Sequence, residues 1–166
     1  MTTLKAYHGT YNQFDEFSNE RINWFTKDIA LANQYGEIIL ECEIGYNNAF
    51  YVGEANEYMD QCDGSDFDEN DNVITYNGYF VPEKIRDIAN ELNIKIDTLI
   101  NIYQKDGHDI YDDGAIKWMT EQTFAITSSI YFADLLKEKG YDCIIQEENG
   151  VPTYGILNNK NIKILN

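Results

Sequence analysis

Two histidines and a set of ring side chains are the residues in this sequence best placed to do chemistry. His8 stands in Tyr7-His8-Gly9-Thr10, where it closes a short β-prone run. The glycine directly after it lacks the Cβ that would hold a ligand off the backbone. His8 is therefore a candidate ligand contact, and the competing reading is a structural histidine with its ring nitrogens satisfied. Trp24-Phe25-Thr26 closes a second run, and Tyr35 follows Trp24 by eleven residues. A strand-end aromatic and a helix-borne aromatic at that separation can close on the two faces of a flat heteroaromatic ring such as nicotinamide. Against this stands the plainer reading that Trp24, Phe25 and Tyr35 pack the core. His108, in a polar segment between Gly107 and Asp109, reads as an exposed loop residue. The acidic stretch from Asp60 to Asn72 suggests calcium, but the EF-hand spacing fails. Counting from Asp66, Asp68 and Asn70 fit, whereas Asp71 stands where glycine is required and Asn77 where glutamate is required. That stretch is read as a solvated loop or docking surface, and no metal site is assigned. No Ser-His-Asp order, P-loop, HExxH or Cys/His zinc spacing occurs.

The elements that must hold these residues follow from periodicity. Leu4–His8 and Ile22–Thr26 read as strands. Asp28–Tyr35 has a helical pattern with Ile29, Leu31 and Ala32 inward and Gly36 as its stop. Glu37–Ile44 alternates, with Ile38, Leu40, Cys42 and Ile44 on one face and Glu37, Glu41 and Glu43 on the other. Pro82 opens a helix carrying Ile85, Ile88, Ala89 and Leu92 at helical spacing. A second helix is expected over Asp97–Gln104, and a third, broken one from about Gly114 to Lys139, ended by Gly140. Strands return at Tyr141–Gln146, Thr153–Leu157 and Asn161–Leu165. The expected fold class is α+β: one domain over residues 1–166, its N- and C-terminal strands sharing a sheet around an acidic loop and helical insertion at about 53–122.

Composition bounds what this domain can do. The 166 residues are 43% hydrophobic and 14% aromatic, which excludes a wholly disordered chain. Twelve basic against twenty-nine acidic residues give a formal charge of −17. Such a surface repels phosphate backbones, so direct nucleic-acid binding is disfavoured, and a polybasic membrane anchor is excluded. No run reaches the roughly 18 apolar residues of a membrane span, and MTTLKAYHGT lacks the apolar stretch of a signal peptide. Cys42, Cys62 and Cys143 are odd in number, widely spaced and without a CxxC pair. They read as reduced thiols of a cytoplasmic protein.

In order and spacing, Tyr7-His8-Gly9-Thr10, Trp24-Phe25-Thr26 and the segment Ala30–Tyr35 resemble the NAD-binding half of the ADP-ribosyltransferase fold. The Trp24-to-Tyr35 separation is similar to that of the poly(ADP-ribose) polymerase-like branch. Phe14 and Phe17 after the His-Gly-Thr resemble the small phage and mobile-element members, some of which are anti-CRISPR proteins that modify host defence components. The resemblance covers roughly residues 4–52 and 123–166. It implies the split β-sheet of that fold, with NAD as substrate. His8 would hydrogen-bond the adenine-side ribose, the Gly9 backbone would hold the carboxamide, and Thr10 would support the turn. Trp24 and Tyr35 would sandwich the nicotinamide, with Phe25 and Thr26 completing the motif around Trp24.

The family also requires a carboxylate near its last strands, to stabilise the positive charge that develops on the ribose as nicotinamide leaves. Glu147 and Glu148, at the end of an apolar strand just before a glycine-containing turn, are the candidates, with Glu147 placed ahead. In many relatives the acid opens the following strand, and that register puts the uncharged Thr153 there. Ala32, where a serine is common, and Trp24, where a tyrosine is usual, are further departures. The resemblance implies a mono-ADP-ribosyltransferase acting on a host protein in the cytoplasm. The −17 charge favours a basic, nucleic-acid-handling target. The rivals are a catalytically inactive acidic inhibitor on the same fold and an NAD-consuming toxin.

Overall fold

The computed structural model describes residues 1–54, 69, 75–76, 79–80, 83–108, 111–112, 117–118 and 123–166. In chain order the elements begin with β1 (Thr2–Thr10), β2 (Asn23–Thr26), α1 (Ile29–Ala32), β3 (Ile38–Tyr46) and β4 (Ala49–Glu54). They continue with β5 (Thr75–Tyr76), β6 (Tyr79–Phe80), α2 (Glu83–Glu91), α3 (Ile96–Lys105), β7 (Tyr111–Asp112) and β8 (Lys117–Trp118). The last are α4 (Thr123–Thr127), α5 (Ile130–Glu138), β9 (Cys143–Glu148), β10 (Val151–Ile156) and β11 (Ile162–Ile164). The chain is α+β and divides into two compact units, Met1–Ala55 with Ala133–Asn166, and Asn56–Phe132.

The first unit is built on a seven-stranded mixed sheet in the order β11-β3-β1-β2-β10-β9-β4. Strands from both ends of the chain therefore interleave in one ladder. β1 and β3 pair along their whole length, from Thr2 opposite Tyr46 to Thr10 opposite Ile38. Because side chains alternate, this register sets Leu4, Ala6 and His8 beside Leu40, Cys42 and Ile44 on one face. That face carries the core, in which Ala6, Phe17, Phe25, Leu40, Cys42, Ile44, Cys143, Tyr154 and Ile156 pack together. The other face of the same strands carries Lys5, paired with Glu41 at 2.8 Å. β4, which the sequence reading left without a strand, pairs in parallel with β9 at the sheet edge.

Two expectations near the candidate residues are corrected. The helix expected over Asp28–Tyr35 is a single turn. Asp28 caps it, its carboxylate accepting from the Ala30 and Leu31 amides at 2.8 and 3.2 Å. Leu31 and Ala32 are buried, but Ile29 is 52% exposed rather than inward. Gly36 is not a left-handed stop; it is where the chain crosses β1. A Cβ there would lie 2.2–2.4 Å from backbone atoms of Thr10, and a Cβ on Gly9 would lie 1.9 Å from the Ala32 carbonyl oxygen. Glycine at position 9 thus makes room for the chain's own backbone at Ala32. Gly140 does end α5 as expected, with φ of +87°. The Tyr141 amide bonds back to Leu136 at 2.9 Å, closing the helix end.

In the second unit α2 and α3 bury Ile85, Ile88, Ala89, Leu92, Leu99, Ile100, Ile102 and Tyr103. The short strands form a sheet in the order β5-β6-β8-β7. Lys117–Trp118, expected within a helix, is one of those strands, and the helices α4 and α5 are separated at Ser128–Ser129. The Ser129 hydroxyl accepts from the Tyr131 amide at 3.2 Å and so starts α5 afresh. Residues 60–72, the acidic loop, lie outside the described residues except Glu69 in an exposed turn, as do Pro82 and Cys62. Among the described residues no helix is long and apolar enough to cross a membrane.

Candidate functional site

The site begins at the tightest turn in the sheet. Asn149 and Gly150 both have positive φ, +53° and +77°, and join β9 to β10 as a two-residue hairpin with Glu148 opposite Val151. Asn-Gly is the sequence best suited to such a turn, since both central positions need left-handed backbone. Glu147 and Glu148 are consequently the last two residues of a strand, not members of the turn. Alternation then sends them to opposite faces. Glu148 is 4% exposed, whereas Glu147 is exposed.

The face that receives Glu148 is set by cross-strand pairs. Gln146 lies opposite Thr153, which lies opposite Thr26; Gly155 lies opposite Trp24. Glu148, Gln146, Thr153, Thr26 and Trp24 therefore share one face of β9, β10 and β2. The Trp24 indole covers Gly155, where a Cβ would meet its Cη2 at 2.9 Å. Thr26 and Thr153 spend their hydroxyls on the backbone, donating to the Pro152 and Gln146 carbonyls, each at 3.3 Å. Trp24 and Glu148 stand four pairs apart along β10, about 13 Å at strand rise. Tyr35, three residues beyond α1, reaches this face and donates its hydroxyl hydrogen to Glu148 Oε2. Withdrawal of the phenol from water, then its bond to Glu148 and that group's negative charge, hold Tyr35 well above the usual phenol range. Tyr35 as a residue is 51% exposed, while the carboxylate that it meets is buried.

His8 and Phe25 occupy the opposite, core-bearing face. The His8 ring sits among Phe14, Phe17 and Phe25, with centroid distances of 6.0, 5.0 and 5.5 Å. Its Nδ1 lies 2.8 Å from the Trp24 carbonyl oxygen, which can only accept, so Nδ1 carries the hydrogen. Burial lowers the His8 pKa, with Arg21 helping and the Trp24 bond opposing. Thr10 braces the turn that follows, exchanging hydrogen bonds between its Oγ1 and the Asn12 backbone at 3.1 and 3.2 Å. His108 is exposed after α3 and stacks on Tyr103 at 4.6 Å.

The structure thus joins Tyr35 to Glu148, sets Thr26 and Trp24 on the same face with Trp24 about 13 Å along β10 from Glu148, and sets His8, Phe25 and Glu147 on the other side of the sheet. The hydrogen-bonded row of Thr26, Thr153 and Gln146 was not anticipated; only the Asn149-Gly150 dipeptide, which fixes the pairing of β9 with β10, could have signalled it. An open groove of about 420 Å³ is lined by Lys27, Asp28, Ile29, Val151, Pro152 and Tyr154. It contains none of Trp24, Tyr35 or Glu148, so burial and bonding mark the candidate site and cavity size does not. Among the described residues no three His, Cys, Asp or Glu side chains are grouped to hold a metal ion.

What the arrangement can do is electrostatic. A fixed, buried carboxylate beside aromatic surface favours a cation, or a transition state that acquires positive charge, more strongly than water would. No family model matches the chain, and no curated protein matches it. A solved structure, the crystal structure of an anti-CRISPR protein, is similar to this chain with a TM-score of 0.46 and 10% identity, covering 98% of this chain and 96% of that one. At that level the likeness carries no inference about this chain's activity.

Proposed function

We propose that this chain is a mono-ADP-ribosyltransferase with Glu148 as its catalytic carboxylate. In that reaction the bond between the nicotinamide nitrogen and the ribose C1′ breaks, and its electron pair leaves with neutral nicotinamide. Glu148 stabilises the positive charge left on the sugar, a nucleophile of a target protein adds at C1′, and its proton passes to solvent. The observation that carries this reading is the buried Glu148 carboxylate, bonded to Tyr35 on the same sheet face as Trp24. Supporting it are an anion for the developing cation and the Tyr35 ring beside that anion, with Trp24 farther along the same face. The ordered His-Gly-Thr, Trp-Phe-Thr and Tyr series, resembling the small phage members of the family, supports a cytoplasmic inhibitor of host defence. The −17 charge favours a basic protein target.

Release of nicotinamide from NAD by purified protein, with and without host extract, tests this. Release should require extract, fall at least about 100-fold in Glu148→Gln, as for loss of a transition-state electrostatic contact, and persist in Glu147→Gln. Undiminished release by Glu148→Gln would sink the assignment. Release without extract would point to NAD consumption.

One observation favours a second reading. Thr153 stands where many members of the resembled family carry the acid, and its hydroxyl is committed to the Gln146 carbonyl. A catalytically inactive acidic inhibitor would bind a basic partner stoichiometrically, without NAD, and lose affinity steeply with salt.

A further inference from the structure

Tyr35 is placed unlike an aromatic that only lends its ring. Its segment leaves α1 through tightened backbone bonds, Gln34 N to Leu31 O and Tyr35 N to Ala32 O, each 3.0 Å. Gly36 then crosses β1 with no room for even one more carbon. The chain on both sides of Tyr35 is thus pinned, and its side chain leads from that crossing to a carboxylate 113 residues away. The bond engages one oxygen of Glu148, Oε2, and a carboxylate can accept on both. Rotation of the carboxylate about its last bond is thereby restricted while Oε1 keeps its accepting capacity. On that face the ladder sets Gln146 and Thr153 next along β9 and β10, with Thr153 donating to the Gln146 carbonyl. Glu54 accepts from the Gly150 amide at 3.2 Å, on the turn.

We infer that Tyr35 is a positioning residue for Glu148, its hydroxyl holding one carboxylate oxygen so that the other is presented to the ribose. This rests on the transferase reading above. It assigns the hydroxyl a role separate from any stacking by the ring, and Tyr35→Phe separates the two. The variant keeps the ring and loses the bond.

Steady-state nicotinamide release by wild type, Tyr35→Phe and Tyr35→Ala, with NAD varied, is the experiment. Tyr35→Phe should lower kcat by about 10- to 100-fold, the range for one charge-assisted hydrogen bond, with KM within about twofold. Tyr35→Ala should in addition raise KM. In parallel, tyrosine carrying a ¹³C label at Cζ, its Tyr35 signal assigned by absence in Tyr35→Phe, follows ionisation of this one phenol. It should titrate at lower pH in Glu148→Gln than in wild type. Full kcat in Tyr35→Phe, or a change confined to KM, would overturn the inference, as would identical phenol titrations with and without the Glu148 charge. Absence of turnover in wild type would overturn the transferase reading and this role together, which the active wild type with an unimpaired Tyr35→Phe would not.

Discussion

His8, a residue suited to chemistry, has one ring nitrogen bonded to the backbone. Its Nδ1–H donates to the Trp24 carbonyl, and the ring faces three phenylalanine rings. A charged imidazole in that setting loses hydration that the rings do not replace, which is why its pKa falls below the usual 6.5. The consequence for stability has a definite sign. The unfolded chain binds a proton at His8 more readily than the folded chain does. The contribution of the neutral ring is therefore fully present above pH 6.5 and is lost as the pH falls below it. Urea unfolding from pH 8 to 5 should show the stability difference between wild type and His8→Asn shrinking through this window, since asparagine keeps a donor but does not titrate. A constant difference would mean that His8 is solvated. Cys42 and Cys143 are a related case: burial, then a neighbouring acid, pushes each thiol up to about 12, so neither is fitted to act as a nucleophile.

The elements carrying the candidate site are aligned by local devices at their ends. Asp142, just before β9, accepts from the amides of Asn47 and Asn48 at 2.9 to 3.0 Å and from Asn47 Nδ2 at 3.2 Å. Its own amide donates to the Asn48 carbonyl at 2.9 Å. One carboxylate therefore ties the β3–β4 turn to the start of β9 and sets the parallel pairing that begins with Ala49 opposite Cys143. At the other end of β9 the Asn149-Gly150 turn sets Glu148 against Val151. Asp142→Ala leaves two backbone amides without their acceptor and should destabilise the fold by about 1–3 kcal/mol. The check is a lower urea midpoint with an unchanged m value. An unchanged midpoint would show that water replaces the carboxylate at no cost. Most of these elements are legible along the chain: β2, β3, α3 and the end of α5 lie where periodicity and glycine put them. The one-turn α1 is not, because its cap and apolar residues are also those of a longer helix. Only the crossing at Gly9 and Gly36 stops it.

Over the whole molecule the dominant feature is charge. Twenty-nine acids against twelve bases repel one another across the surface, and the described ion pairs Lys5–Glu41 and Lys137–Asp134 involve exposed groups worth little each. Compact folding brings the acids closer than the unfolded chain does, so repulsion works against the native state. Salt shortens the screening length from about 30 Å at 0.01 M to about 3 Å at 1 M. Unfolding temperature should rise over that range of sodium chloride. A fall would mean that attractive pairs outweigh the net repulsion. A field of that sign favours the approach of a cationic surface over an anionic one.

Read along the chain, the residues specify an α+β protein of strong negative charge, with alternating strands and aromatic residues beside a His-Gly-Thr. They also specify the Asn-Gly hairpin, whose backbone needs are local. They do not specify which of two adjacent glutamates matters, or which face of the sheet a histidine joins. Side chains alternate with a period of two, so Glu147 and Glu148 are equivalent until β9 is paired with β10 and β10 with β2. Only then does one carboxylate fall on the face of Trp24 and within reach of Tyr35. The packing of His8 likewise depends on Phe14 and Phe17 of the β1–β2 connection meeting Phe25 of β2, a fact of three-dimensional packing that no spacing along the chain encodes.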